Sequence, residues 1–336
     1  MDWIKSFGID FPDGEFDVLA IGETVVDLIS HETTDDLFYA KRFDKFQGGS
    51  PANIAMNVAK LAGEAAVVSV VGKDGFGRYI RESMQEIGVN TEYLFVDESR
   101  ATTVNIISRS AATADSIHIR SADSQLSEAT ITEEMVQRAK IVHASAFALS
   151  NEPARSAVIK ALKMAKTANK LVSFDPNYNP IDWPAETAVL DVLANVLAYC
   201  HVIKPSLDDA ERLFGKGLKP QEYIARYHAL GPKIVIFTMG NQGAILSDGI
   251  NRLFVKAKQI QVVDATGAGD ALWAGFIVSL LDRKSLLESV LFGMEIVELG
   301  LATVGPIQGE ISREAIYKHV EHELIKVTGN EKQYFL

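Results

Sequence analysis

From residue 17 onward the chain alternates short apolar runs with longer segments of helical periodicity, and this alternation restricts the fold more than any other feature. Apolar runs of strand length lie at 17–21, 66–71, 141–144, 171–174, 202–204 and 234–238. Helix-like segments at 51–61, 75–87, 153–168, 185–198 and 220–230 separate them, and three more at 271–281, 286–303 and 313–326 close the sequence. When each strand is followed by a helix, the helix carries the chain back across the sheet, so the strands pair in parallel and both faces become covered. Crossovers in such sheets are right-handed. The expected class is therefore α/β, with a mostly parallel central sheet between two helical layers. Two stretches, 31–46 and 92–122, break the rhythm, with β-like alternation at 102–109 and 116–120. They read as a small inserted β-sheet, a lid, on a single domain over 16–330; two unrelated surface loops are the other reading.

Composition narrows the partners. The 336 residues are 47% hydrophobic and 23% charged, enough for a substantial core without staples. Lys and Arg number 33 against 44 Asp and Glu, a net charge of -11. That surface repels a phosphate backbone, so no nucleic-acid partner is expected. A single phosphorylated ligand is still allowed, because backbone amides can build a local positive site. The lone Cys200 excludes an internal disulfide and a Cys-rich metal site, and it reads as a buried small hydrophobe. Residues 1–16 mix acids with scattered aromatics and lack the basic start and apolar run of a signal peptide. No window reaches the roughly 18 apolar residues of a membrane span. A soluble, cytoplasmic protein with no membrane partner is expected.

The segment richest in chemistry is Val263-Asp264-Ala265-Thr266-Gly267-Ala268-Gly269-Asp270. Gly267, Ala268 and Gly269 leave backbone amides uncovered where a strong helix begins, which with the helix dipole makes an anion site. Asp270 falls in the first turn. In a phosphoryl-transfer reading the amides hold the migrating group and Asp270 takes the proton of the attacking hydroxyl. The plainer alternative is a helix capped by Thr266 or Asp264, with Asp270 complementing the dipole.

A second segment, Gln47-Gly48-Gly49-Ser50-Pro51-Ala52-Asn53, reads as a helix start with Ser50 as N-cap and Pro51 at the first position. Capping does not account for the paired glycines beside Asn53. Gly48 and Gly49 permit a ligand to approach the backbone closely, and Asn53 offers a donor and an acceptor suited to sugar hydroxyls.

Together these two segments resemble the two signatures of the ribokinase-like sugar kinases, the PfkB family, and the likeness runs from about residue 17 to 326. Gly22-Glu23-Thr24-Val25-Val26-Asp27 resembles the family turn whose Asp binds sugar. Gly72-Lys73-Asp74-Gly75-Phe76-Gly77 is similar to its G-x-D-x-x-G turn, Asp175-Pro176-Asn177 to its DPN segment, and 237–244 to its nucleotide-side loop. The resemblance implies a ribokinase-like three-layer α/β/α sandwich whose lid closes over the sugar and supports a homodimer. It implies a kinase, closest in character to fructokinase, using ATP, Mg2+ and a monovalent cation such as K+. Asp270 would be the base; Gly267, Ala268 and Gly269 the anion hole; Asp27, Gly48, Gly49, Asn53, Arg109 and Asp175 the sugar side. Lys204, Ser206, Thr238, Gly240 and Gly243 would lie along the nucleotide, Asp209 would serve the divalent metal, and Asp264 and Thr266 the monovalent cation.

The sequence departs from the family pattern twice. Ser206 and Asp209 stand where relatives carry Asn-x-x-Glu, and Ser206 is also a natural N-cap. Asn179 stands where many relatives have an Arg after DPN, which disfavours a carboxylate substrate such as 2-keto-3-deoxygluconate and favours neutral fructose. Other sugar or nucleoside acceptors, and a non-catalytic sugar- or nucleotide-binding regulator, are the alternatives. A P-loop and a dinucleotide fingerprint after the first strand are absent from the sequence, and His319, Glu321 and His322 do not have metal-ligand spacing.

Overall fold

The computed structural model of the protein describes residues 11–110, 114–260, 267–301 and 311–329. Its centre is β1, Phe16–Ile21, whose run from Val18 to Ile21 is continuously apolar, as a sheet covered on both faces requires. The chain continues through β2 (Val25–Thr33), β3 (Phe43–Gly48), β4 (Ala65–Gly72), β5 (Leu94–Asp97), β6 (Val104–Arg109) and β7 (Ser116–Ile119). Then come β8 (Ala139–Ser145), β9 (Leu171–Asp175), β10 (Val202–Ile203), β11 (Ile234–Thr238), β12 (Gly243–Ser247) and β13 (Arg252–Lys256). Nine of these form one sheet in the order β13-β12-β11-β10-β9-β8-β1-β4-β5, and four form a second in the order β3-β2-β6-β7. The large sheet is parallel from β5 to β11 and turns antiparallel only at β12 and β13.

Successive residues of β1 belong to different cores. Val18 and Ala20 pack with Trp273, Phe276 and Phe292 on one face; Leu19 and Ile21 pack with Phe174, Tyr223 and Phe237 on the other. A strand whose alternate side chains enter two separate cores lies in the middle of three layers. The expected fold is thus realised, and Cys200 is buried as a small hydrophobe.

Some boundaries differ from the sequence reading. Leu94–Asp97 is β5 of the large sheet, so the second inserted stretch starts later than 92. The first begins earlier, at Val25, in β2. The small sheet is mixed: β2 runs parallel to β6, while β2–β3 and β6–β7 are antiparallel. The helix expected from 185 starts at Val189, after Pro184 and a turn. Among the described residues no helix is long and apolar enough to cross a membrane.

Candidate active site

Two helix starts meet at the C-terminal ends of β1, β8 and β9. One is Ser50–Lys60, whose N-cap is Gly49 at φ 95. Ser50 is therefore the first helical residue rather than the cap, and its side chain is free for another task. Its Oγ donates to Asp270 Oδ1 at 2.7 Å, and Asn53 Nδ2 donates to Asp270 Oδ2 at 2.9 Å. Residues three apart share a helix face, so one turn supplies both donors. Asp270 itself lies in the first turn of the other helix, Ala268–Leu281. Burial pushes its carboxyl above the usual range, while Ser50, Asn53 and the charge of Lys204 pull it back down.

The start of that second helix is built for an anion. Gly267 is its N-cap in the left-handed region at φ 76, and among the described residues no side chain caps the first turn. Among the described residues a Cβ at 267 would meet nothing within 4 Å. Lys204 reaches beneath it, its Nζ 3.1 Å from where a Cβ on Gly269 would stand. The ammonium is buried against Asp175 Oδ2 at 2.7 Å, and that pairing holds it protonated. Uncapped amides, a helix N-terminus and a fixed cation within one turn suit phosphate oxygens.

The small sheet brings a second buried carboxylate, Asp27, to this place. Asp27 on β2 accepts Asn105 Nδ2 from neighbouring β6 at 2.9 Å. Burial, with the Asp270 charge adding to it, pushes the Asp27 carboxyl up to about 6, against the pull of Asn105 and His118. The paired glycines are required by this arrangement itself. A Cβ on Gly48 would lie 2.0 Å from Asp27 Oδ2, and one on Gly49 2.5 Å from the Glu23 carbonyl.

Several expected site residues are occupied elsewhere. Asp175 is paired with Lys204 and is 3% exposed. Arg109 donates to the His31 carbonyl within the small sheet. Ser206 and Asp209 cap the helix Leu207–Phe214 reciprocally, and Asp209 Oδ1 also accepts the Tyr178 N–H at 2.8 Å, so this carboxylate is already committed to the fold. Asn179 begins the short turn Pro180–Asp182. Thr238 ends β11, Gly240 opens the turn Gly240–Gln242 and Gly243 closes it, both glycines at positive φ. Asp264 and Thr266 lie outside the described residues.

Sequence reasoning missed three participants. Glu23, 2% exposed, accepts the Ser50 N–H at 3.0 Å. Asn105 has no local signal, being one polar residue in a β run. His118 on β7 is hydrogen-bonded through Nδ1 to Asp182 of the main body.

The comparisons with known proteins agree with this geometry. The description "pfkB family carbohydrate kinase" matches residues 15–309. The chain belongs to that family. It is 36% identical over 300 residues to an ATP-dependent 6-phosphofructokinase of Thermoanaerobacterium thermosaccharolyticum, covering 89% of this chain and 92% of that one. To the probable fructokinase-7 of Arabidopsis thaliana it is 30% identical over 325 residues, covering 93% and 95%. The solved fructokinase of Halothermothrix orenii superposes with a TM-score of 0.75 at 36% identity, over 85% of this chain and 98% of that one. A Vibrio cholerae O395 fructokinase double mutant, solved with fructose, ADP and potassium ion bound, gives 0.77 at 25% identity over 92% and 99%. This family member is an ATP-dependent sugar kinase.

Proposed function

We propose that the kinase transfers the γ-phosphoryl group of ATP to the primary 6-hydroxyl of D-fructose. Its likeness to fructokinases supports this reading. The observation that carries it is the make-up of the acceptor side. Asp27, Asn105, Asn53 and Asp270 offer carboxylate and amide groups, which match hydroxyls and not an anion. Arg109 and Arg120 are engaged within the protein, with His31 and Asp123, and Lys204 lies beside Gly269, on the side of the transferred phosphoryl group. That disfavours the fructose 6-phosphate suggested by the 6-phosphofructokinase relative, as well as a sugar acid.

In the reaction the fructose hydroxyl attacks the γ-phosphorus, its proton passes to an Asp270 carboxylate oxygen, and the bond to the β-phosphate bridging oxygen breaks to release ADP. Ser50 and Asn53 aim that carboxylate, and the amides of Ala268, Gly269 and Asp270 with Lys204 receive the charge on the moving group. Mg2+ would enter on the nucleotide, bound largely by phosphate oxygens and water, and neutralise their charge. By the family resemblance a monovalent cation such as K+ would sit near Asp264 and Thr266. The small sheet would close over the sugar and exclude water, and its exposed apolar side chains would join two copies as a homodimer.

ADP release with Mg-ATP against fructose, fructose 6-phosphate, 2-keto-3-deoxygluconate, ribose and adenosine tests the acceptor. Fructose should give the highest kcat/KM; a preference for fructose 6-phosphate would replace it. Asp270→Asn should lower kcat by about a hundredfold or more and leave fructose binding nearly intact. Equal loss of binding and turnover would make Asp270 structural.

A further inference from the structure

Glu23 is a buried acid that the reaction above does not use. It sits in the short link between β1 and β2, 2% exposed, where an acid without partners would be costly. Its partners are specific. Oε1 accepts the backbone N–H of Ser50 at 3.0 Å, and Ser145 Oγ lies 2.9 Å from each carboxyl oxygen. The Ser50 N–H is among the amides that a helix start leaves without an internal partner. Gly49, the N-cap, has no side chain to accept it, so Glu23 does so from another part of the chain. The backbone of Glu23 acts in the same place, since its carbonyl packs so closely on Gly49 that position 49 admits no Cβ. Side chain and main chain together fix residues 49 and 50, and the next bond outward runs from Ser50 Oγ to Asp270.

We propose that Glu23 is a positioning residue for phosphoryl transfer: by holding the Ser50 end of the helix it sets the reach from which Ser50 Oγ grips the Asp270 carboxylate. The proposal rests on the reading of Asp270 as the base. Burial pushes the Glu23 carboxyl up to about 8, so near neutral pH it is an uncharged acceptor. The charges that act on it, Arg120 lowering and Asp123 raising its proton affinity, are paired with each other at 2.7 Å. Glutamine can reproduce both contacts, with its carbonyl accepting from Ser50 and its amide donating to Ser145.

The test compares Glu23→Ala, Ser50→Ala, the double variant, Glu23→Gln and Asp270→Asn in the full chain with Mg-ATP and D-fructose. Each alanine variant should lower kcat about tenfold, with the KM for ATP little changed, as expected for loss of one hydrogen bond near a charge. The double variant should lose no more than Ser50→Ala alone, because Glu23 acts through Ser50. Glu23→Gln should recover most of the loss. Multiplying losses, or a Glu23→Ala enzyme with wild-type kcat and only a lowered Tm, would overturn the proposal. If Glu23→Ala does not fold, Glu23→Asp, one methylene too short for Ser50, takes its place in the same cycle. An Asp270→Asn enzyme that keeps its turnover sinks the base assignment, whereas an inert one beside multiplying losses sinks only the role of Glu23.

Discussion

Asp27 holds its proton more tightly in the fold than in water, which couples the acceptor site to stability. Its carboxyl sits at about 6, against an ordinary value of 3.8. A folded-state value above the unfolded one means that the native protein binds more protons inside that window. The stability present below 3.8 is therefore lost as pH rises through 6. Asp27→Asn keeps an acceptor for Asn105 and removes the buried charge. It should unfold several degrees higher than the parent at pH 7.5, a gain of about 1–3 kcal/mol, while its kcat/KM for fructose falls. Thermal scans at pH 4 and 7.5 check the cause. The advantage should vanish at pH 4, and one that persisted there would come from packing.

At the scale of elements, the small sheet is attached to the body by apolar packing of Val26, Leu28 and Val104 and by a few polar contacts. Asp74 caps the helix Gly75–Glu86 and accepts the Thr102 N–H at 2.7 Å, pinning the chain just before β6. At the far side, β7 is tied through His118 to Asp182, and Arg120 donates to the Phe147 carbonyl at 2.8 Å. His118→Ala should raise the KM for fructose roughly tenfold, keep kcat within about twofold and speed amide exchange in β6 and β7. Unchanged exchange in those strands would refute the contact as a latch. These elements also mark how far the sequence could be read. The parallel sheet was legible because short continuous apolar runs alternate with helical runs of period 3.6, and the Gly267–Asp270 turn because a small-residue helix start is a local pattern. Four-residue β5 was not, since so short a run beside the inserted stretch has no period to detect. The Ser50–Asp270 bond was hidden for another reason. Its partners are 220 residues apart, and local rules gave Ser50 a complete explanation as a cap. Asp209 reversed the case: the metal role came from resemblance, while the capping box was written in Ser206-x-x-Asp209 itself.

For the whole molecule, apolar exposure and charge act in opposite directions. Among the described residues, five of the eleven exposed large apolar side chains, Phe38, Tyr39, Phe43, Ile117 and Ile119, belong to the small sheet and its 31–46 excursion. On β7, Ile117 and Ile119 alternate with His118, so they occupy the face opposite the latch. β7 is also an edge strand, a place where a second chain can add. Against this, each copy carries a net charge of -11, which opposes association through long-range repulsion. Apolar contact works at short range and salt screens only the repulsion, with a Debye length near 10 Å at 0.1 M. The homodimer proposed through this face should therefore tighten as sodium chloride rises from about 0.02 to 0.3 M, well inside that screening range. An interface built on ion pairs would loosen over the same interval. Light scattering behind a sizing column reads the mass directly. Phe38→Asp with Ile117→Asp should give a monomer at every salt concentration, with a higher KM for fructose because the sheet has lost its outer support. A parent protein that stays monomeric throughout would remove the dimer, and the exposed apolar side chains would then have no second copy to cover them.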